Sequence, residues 1–182
     1  MTPESQLASF MARFTPEVEA LAEAALTKMR ARFPNAIQMV YDNYNFLVIG
    51  FSPTEHASEA IFSLALFARG VSLCFLQAAA KLPDPKKLLQ GSGKQARHIR
   101  LESAAVLDRP AVKALMSQAI KRAVVPFDAT VLGRLIIKSV SVKQRPRRPA
   151  EKSPTTARRG SGRASTSARG NSPARRGVRR EN

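Results

Sequence analysis

Two hydrophobic periods alternate along the first 142 residues, and they predict both helices and strands. Across residues 18–33, apolar side chains recur every three or four positions, which is the spacing of an amphipathic helix. Thr15-Pro16-Glu17 predicts where this helix begins, because threonine caps, proline suits the first turn and an acid favours the positive end of the helix dipole. Pro34 predicts its end, since proline disfavours helical geometry at the residue before it.

A strand-like pattern follows Pro34. β-Branched and aromatic residues gather in short runs that polar turns such as Asp42-Asn43 separate. The first four runs are joined by links too short for a parallel crossover, so we expect an antiparallel meander. Further helices are expected at residues 6–13 and after Asp108, which is a predicted cap. The predicted strands are residues 36–41, 44–51, 60–68, 71–77, 97–102 and 135–142.

This order of elements predicts an α+β fold of two layers, in which helices pack on one face of an antiparallel sheet of about five to six strands. The character of the chain changes at Lys143. The last forty residues hold thirteen of the thirty Lys and Arg residues but only one large apolar side chain, Val178. Such a segment cannot bury enough apolar surface to offset its ordering entropy. We therefore expect one α+β domain at residues 1–142 and a disordered basic tail at residues 143–182.

The predicted domain contains the segments YDNYN at residues 41–45, FSLAL at 62–66, VSLCFL at 71–76, LPDP at 82–85 and GSGKQARHIRL at 91–101. These segments resemble the YdhG-like domain family, a bacterial family long labelled as a domain of unknown function. The resemblance covers about residues 15–123 and excludes the tail. It implies a compact α+β domain comparable with frataxin, a frataxin-like iron-chaperone role described for some relatives, and no enzymatic activity.

The glycine segment Gly91-Ser92-Gly93-Lys94 differs from a nucleotide-binding P-loop. A P-loop needs a glycine five residues before Gly93, where Leu88 stands, and Ser or Thr after the lysine, where Gln95 stands. A simpler hypothesis is anion binding by loop N–H groups and nearby cations. We favour the alternative, a connecting loop whose charges are solvated, because strand alternation places Arg97 and Arg100 on opposite faces. The candidate ligand- or anion-binding residues are Gly91, Gly93, Lys94, Arg97, Arg100, Tyr41 and Tyr44.

Iron binding would require oxygen ligands or histidine gathered in a cluster. The predicted domain lacks the dense acidic ridge that frataxins use and is itself basic, so we expect no cofactor and keep iron binding as the alternative. For Glu19 and Glu23 we favour a solvated helix face over metal binding. The weak metal candidates are Glu19 and Glu23, one helical turn apart, and Glu55, His56 and Glu59, close together in sequence.

Cys74 is the only cysteine, which excludes an intrachain disulfide and is typical of a reducing compartment. Thiol catalysis with His56 or His98 is one hypothesis, but a cysteine in so apolar a strand is typically a small core residue. We therefore expect no catalytic residues and no enzyme. The N-terminus has no secretory pattern, and no apolar run approaches the length of a membrane span. A soluble cytoplasmic protein is the expectation.

The basic tail predicts a class of partner. Arginine in a flexible chain binds phosphates without reading sequence, so we expect DNA or RNA to bind there non-specifically. Alternatives are a solubilising extension or affinity for any polyanion. The tail contains no aromatic residue, so it cannot stack on bases. The candidate nucleic-acid-binding residues are Arg145, Arg147, Arg148, Arg158, Arg159, Arg163, Arg169, Arg175, Arg176, Arg179 and Arg180.

Overall fold

A computed structural model describes residues 1–149, which contain three α-helices and one mixed sheet of six strands. Three short 3-10 turns connect parts of the chain, at Ala57–Glu59, Ala79–Lys81 and Ala104–Asp108. The helices are α1 (Pro3–Met11), α2 (Pro16–Arg32) and α3 (Pro110–Lys121). The strands are β1 (Ile37–Asp42), β2 (Leu47–Ser52), β3 (Phe62–Phe67), β4 (Gly70–Phe75), β5 (Arg97–Leu101) and β6 (Leu135–Val140).

The strand order is β5-β4-β3-β2-β1-β6. Strands β1 to β4 form the predicted antiparallel meander, and β5 extends it by pairing antiparallel with β4. The predicted α+β class is confirmed. The last strand differs from the prediction, because β6 pairs with β1 in parallel and shifts its register beside Val40 and Tyr41. The long connection through α3 permits this crossover. Gly133 allows the close approach before β6, since a Cβ there would lie 2.1 Å from the carbonyl oxygen of Pro34.

The helix ends follow local sequence signals in two cases and differ in a third. The Oγ1 atom of Thr2 accepts a hydrogen bond from the N–H of Ser5, and Thr15 caps α2 in the same way through the N–H of Val18. Asp108 does not cap α3. Its carboxylate instead accepts hydrogen bonds from Lys28 and Arg32 at 2.6 and 3.0 Å, which fasten α2 to the turn before α3.

One face of the sheet, which we call the covered face, packs against all three helices. Its side chains alternate along each strand with those of the opposite face. Phe62 lies at the centre, with its ring centroid 5.3 Å from that of Phe33 and 5.5 Å from that of Phe75. Large side chains fill this layer and are almost completely buried; they include Phe14, Met29, Ile49, Phe51, Leu64, Leu66 and Leu73.

The opposite face, which we call the open face, is built differently. Ile37, Met39 and Ala60 form a small cluster at one end of it, against Val131 and Ile136. The rest of this face presents Tyr41, Val48, Gly50, Ser63, Ala65, Phe67, Ser72, Cys74, His98 and Arg100. Within residues 1–149, α1, α2 and α3 all contribute their buried residues to the other side of the sheet.

The folded chain continues seven residues beyond the boundary expected at Val142. Residues 143–149 are described and pack on the domain, and the first compact unit of the chain is Met1–Ala150. The remainder of the predicted disordered tail lies outside the described residues. Among residues 1–149, no helix combines the length and the apolar character that crossing a membrane requires.

Candidate functional site

Small side chains form the middle of the open face. Along one row across the sheet, Ala65 and Ser72 lie between Val48 and Arg100; along the next, Gly50, Ser63 and Cys74 lead to His98. Because these central side chains rise so little above the backbone, they leave a mainly apolar central groove of about 280 Å³. Its walls include Phe46, Val48, Phe67, Leu76 and His98.

An aromatic pair, half-buried Phe46 and exposed Phe67, stands at one end of the central groove. The ring centroids of Phe46 and Phe67 are 5.2 Å apart with their planes tilted by 50°. Phe67 is the last residue of β3 and remains 42% exposed. Its partner across β4 is Gly70, which has no side chain to cover the ring. The pair is therefore held by the sheet and open to a ligand.

Arginines surround this pair. The guanidinium of Arg100 crosses over Gly70, 3.4 Å from where a Cβ would stand, and donates a hydrogen bond of 2.8 Å to the carbonyl oxygen of Arg69. A hollow of about 230 Å³ lies beside Phe67, Arg69 and Arg100, and another of about 560 Å³ beside Phe46, Phe67, Arg69 and Arg145. Among the described residues that line these two hollows and the central groove, none is Asp or Glu.

The predicted anion site is not brought together. Gly91 has a φ of 101°, and a Cβ at Gly93 would lie 2.6 Å from the carbonyl oxygen of Ala96, so the loop needs both glycines. Arg97 shares the side of β5 that carries the buried Ile99, and its Nε donates to the carbonyl oxygen of Gly93 at 3.0 Å. This hydrogen bond ties the Arg97 side chain to the glycine loop that precedes β5.

The remaining members of that predicted set are spread over the surface. Lys94 is exposed in the loop, while Arg100 projects from the opposite side of β5 to Arg97. Tyr41 is half-buried on β1, and burial raises the pKa of its hydroxyl. Tyr44 is 48% exposed in the turn after β1, with the guanidinium of Arg145 5.7 Å from its ring centroid.

The metal candidates either have hydrogen-bond or ion-pair partners already or lie far from one another in sequence. Glu19 and Glu23 lie on α2, away from the Ala57–Glu59 turn in sequence. Glu55 pairs with Arg134, and the hydrogen bond from Arg134 is the main reason that the pKa of Glu55 is lowered. The Thr54 hydroxyl donates to the carboxylate of Glu59. No group of three or more His, Cys, Asp or Glu suited to a metal is found in the part of the chain that the structure describes.

Cys74 lies in the central groove opposite His98 on β5. Burial raises the pKa of its thiol, and a hydrogen bond with Ser63 opposes that shift. A raised pKa leaves the thiol protonated near neutral pH, whereas the thiolate is the nucleophilic form. The other histidine of the catalytic hypothesis, His56, is exposed before the Ala57–Glu59 turn.

Three of the tail arginines have defined places. Arg147 is buried, and its Nη2 donates to Asp42 Oδ1 at 2.7 Å; the side chains are 4% and 1% exposed. The same carboxylate accepts from Arg13 and Gln144 at 2.9 and 2.6 Å. Arg148 Nε donates to the carbonyl oxygen of Phe14 at 3.0 Å. The other candidates lie outside the described residues: Arg158, Arg159, Arg163, Arg169, Arg175, Arg176, Arg179 and Arg180.

The open face thus brings together aromatic, small and basic side chains that lie far apart in the sequence. Phe67 was missed, although alternation with Ser63 and Ala65 already placed it on a face of small side chains rather than in the core. No protein-family model, curated protein or solved structure matches the chain. Its function is therefore inferred from its own charge and geometry.

Proposed function

We propose that this protein is a non-enzymatic accessory protein of the YdhG-like type that associates with DNA or RNA without sequence specificity. The carrying observation is the charge of residues 151–182, where nine Lys and Arg stand against two Glu. Lys and Arg that neutralise phosphates release condensed counterions, and this supplies most of the free energy of non-specific binding. Contacts to phosphate alone carry no base information, which is why the association does not depend on sequence.

Not every basic residue near the end of the chain serves this role. Arg147 is paired with the buried Asp42, so its charge stabilises the fold. Arg145 remains exposed beside Tyr44 and Phe46 and is available to a phosphate. The basic residues after Pro149, together with Arg145, therefore attract the nucleic-acid phosphates. Arg147 instead anchors its own segment to the domain. A cytoplasmic location belongs to the proposal, since a single cysteine suits a reducing compartment.

The test compares the full chain with a charge-neutralised variant, in which the nine Lys and Arg of residues 151–182 become Gln. A control variant replaces nine Ser, Thr and Asn residues of the same segment with Gln. Fluorescence anisotropy with a labelled 20-base-pair duplex then gives affinity between about 50 and 200 mM salt. If six to nine cations engage, log K should fall against log salt with a slope of roughly −5 to −8 for the wild type and the control.

The neutralised variant should bind far more weakly and with a much shallower slope, because fewer counterions are released. Wild-type affinity and slope in that variant would rule out the proposal. The alternative of a frataxin-like iron-binding protein stays a prediction, and titration of the metal-free chain with ferrous iron tests it. Saturable binding that depends on Glu19, Glu23, Glu55, His56 or Glu59 is the result that this alternative requires.

A further inference from the structure

Packing within residues 1–149 does not explain the exposure of Phe67, one ring of the aromatic pair on the open face. Phe67 is 42% exposed, although rings of this size contribute most to stability when they are buried. Phe46 contacts it at a centroid distance of 5.2 Å, and both rings line the same hollow. Aromatic rings presented by a sheet are suited to stacking on the unpaired bases of a single strand.

The surroundings of the pair match the other chemistry of a nucleic acid. Three neighbouring cavities share Phe67 and are lined by Arg69, Arg97, Arg100 and Arg145. No Asp or Glu lines these cavities within the described part of the chain, so the charge around the rings is of one sign. A polyanion with flat apolar bases complements such a surface, whereas an apolar peptide would leave the arginines without partners.

The groove beside the rings offers space for a flat group. Its floor is made by Ser63, Ala65 and Cys74, whose side chains are all small, and its volume is about 280 Å³. Base pairs in a duplex present only their edges in the grooves, so a ring on a sheet cannot stack on them without unpairing. The occupant that fits both the rings and the arginines is therefore a single strand.

We infer that the open face binds single-stranded nucleic acid, with bases stacked on Phe67 and Phe46 and phosphates contacting Arg69, Arg100 and Arg145. This inference rests on the proposed function, since it takes nucleic acid as the partner, but it assigns a separate role to the domain. The segment after Pro149 contains no aromatic residue and supplies attraction that depends only on charge. The open face adds a preference for strands whose bases are unpaired.

The experiment uses the full chain and two labelled 15-nucleotide strands, an oligothymidylate and an abasic strand with the same phosphates. The wild type should bind the oligothymidylate more tightly than the abasic strand. Phe67→Ala should lower affinity for the oligothymidylate by about five- to a hundred-fold, since stacking contributes about that much per base. Affinity for the abasic strand should stay unchanged, because its phosphates meet the same arginines.

Two control variants separate stacking from general effects. Phe67→Tyr keeps a ring at the position and should retain the preference for the oligothymidylate. Leu132→Ala removes an equally apolar side chain that is 85% exposed elsewhere and should change neither affinity. If Phe67→Ala alters the fold by circular dichroism, the double variant Arg69→Gln/Arg100→Gln is measured instead. It should weaken binding to both strands and make the salt dependence shallower.

The outcomes distinguish this inference from the proposed function. Equal affinity of the wild type for the two strands, or an unchanged preference in Phe67→Ala, overturns the inference even when salt-dependent duplex binding persists. Duplex binding should be lost in the charge-neutralised variant and retained in Phe67→Ala, so the two proposals can fail separately. Sedimentation of the wild type and Phe67→Ala tests the remaining occupant, a second copy of the chain. A dimer that Phe67→Ala dissociates, with unchanged strand affinity, also overturns the inference.

Discussion

The two faces of one sheet carry opposite kinds of side chain. The covered face presents Phe62, Leu64 and Phe75 to the helices, and these side chains are completely buried. Their neighbours along the same strands, Ser63 and Cys74, lie on the open face and are small. Alternate residues of the same strands therefore form the core on one side of the sheet and the open face on the other. Side-chain size, together with hydrophobicity, therefore distinguishes the face that packs against the helices from the face that they leave uncovered.

The largest predicted effect concerns stability, and it compares the loss of a ring on the covered face with the loss of a ring on the open face. Phe62→Ala should lower the free energy of unfolding by about 3–5 kcal/mol, because it removes a buried ring that contacts Phe33 and Phe75. Phe67→Ala on the open face should cost only about 1 kcal/mol, since much of that ring is exposed. Urea denaturation monitored by circular dichroism measures both. Similar losses in the two variants would remove the distinction between the faces.

The second prediction concerns the buried charge pair that Asp42 forms with Arg147 at the end of β1. Asp42→Asn should destabilise the domain by about 3 kcal/mol, because it leaves the charge of the buried Arg147 without its partner. Two nitrogens of that guanidinium, Nε and Nη1, already have no hydrogen-bond partner among the described residues. Thermal unfolding should show the loss, and Glu102→Gln, a change at an exposed acid, serves as the control.

A double variant sharpens this test. Removing both charges in Asp42→Asn/Arg147→Met should recover part of the stability lost in Asp42→Asn, because an uncompensated buried charge costs more than the absence of the pair. A double variant that is less stable than the sum of both single changes would contradict the account of residues 143–149 as a segment anchored by this pair.

The third prediction concerns Cys74, which lies on the open face but is partly buried in the central groove. Burial raises the pKa of its thiol, so alkylation by iodoacetamide near neutral pH should be slower in the folded chain than in the urea-unfolded chain. The folded rate should rise with pH into a more alkaline range than the unfolded rate, since thiolate forms later. Equal rates and equal pH profiles would show that the central groove does not desolvate this residue.

The smallest predicted effect is a surface ion pair in the helix layer. The hydrogen bond from Lys28 is the main reason that the pKa of Asp108 is lowered, and Arg32 adds to it. A lowered pKa in the folded state means that this pair stabilises the domain above the ordinary value of 3.8 and ceases to do so as pH falls through the folded value. Asp108→Asn should therefore lower the melting temperature slightly at neutral pH and have no effect well below pH 3.8. A constant difference across this range would contradict the pairing.

Local signals made much of the fold predictable. The cap at Thr15, the stop at Pro34 and the short turns of the meander each act within a few residues, so the sequence reveals them directly. The parallel pairing of β6 was not predictable in this way, because strand period does not specify which edge a distant strand joins. Nothing in the pattern around residues 135–142 identifies β1 as the partner.

The same reasoning explains what was missed at the site. Arg147 belongs to a run whose composition matches the basic tail, and its anchoring depends on Asp42, 105 positions earlier. Phe67 ends a strongly apolar strand, where a ring would ordinarily indicate core. Alternation groups Phe67 with Ser63 and Ala65, but the degree of its exposure follows only from Gly70 lying opposite and from the helices packing on the other side of the sheet.

The strand order also determines how the sheet ends. β5 and β6 are its two edge strands, and an unpaired edge is a template for adding a strand from another molecule. β5 is shielded in part by the bridge between Gln90 and His98 and carries Arg97 and Arg100, while β6 carries Lys138 and meets β1 with a shifted register. Both edge strands thus carry cationic side chains, although Lys138 also lies 3.9 Å from the carboxylate of Glu55. Charged side chains on an edge strand disfavour its pairing with a strand of another copy, so these edges should discourage the ordered aggregation that an exposed meander would otherwise favour.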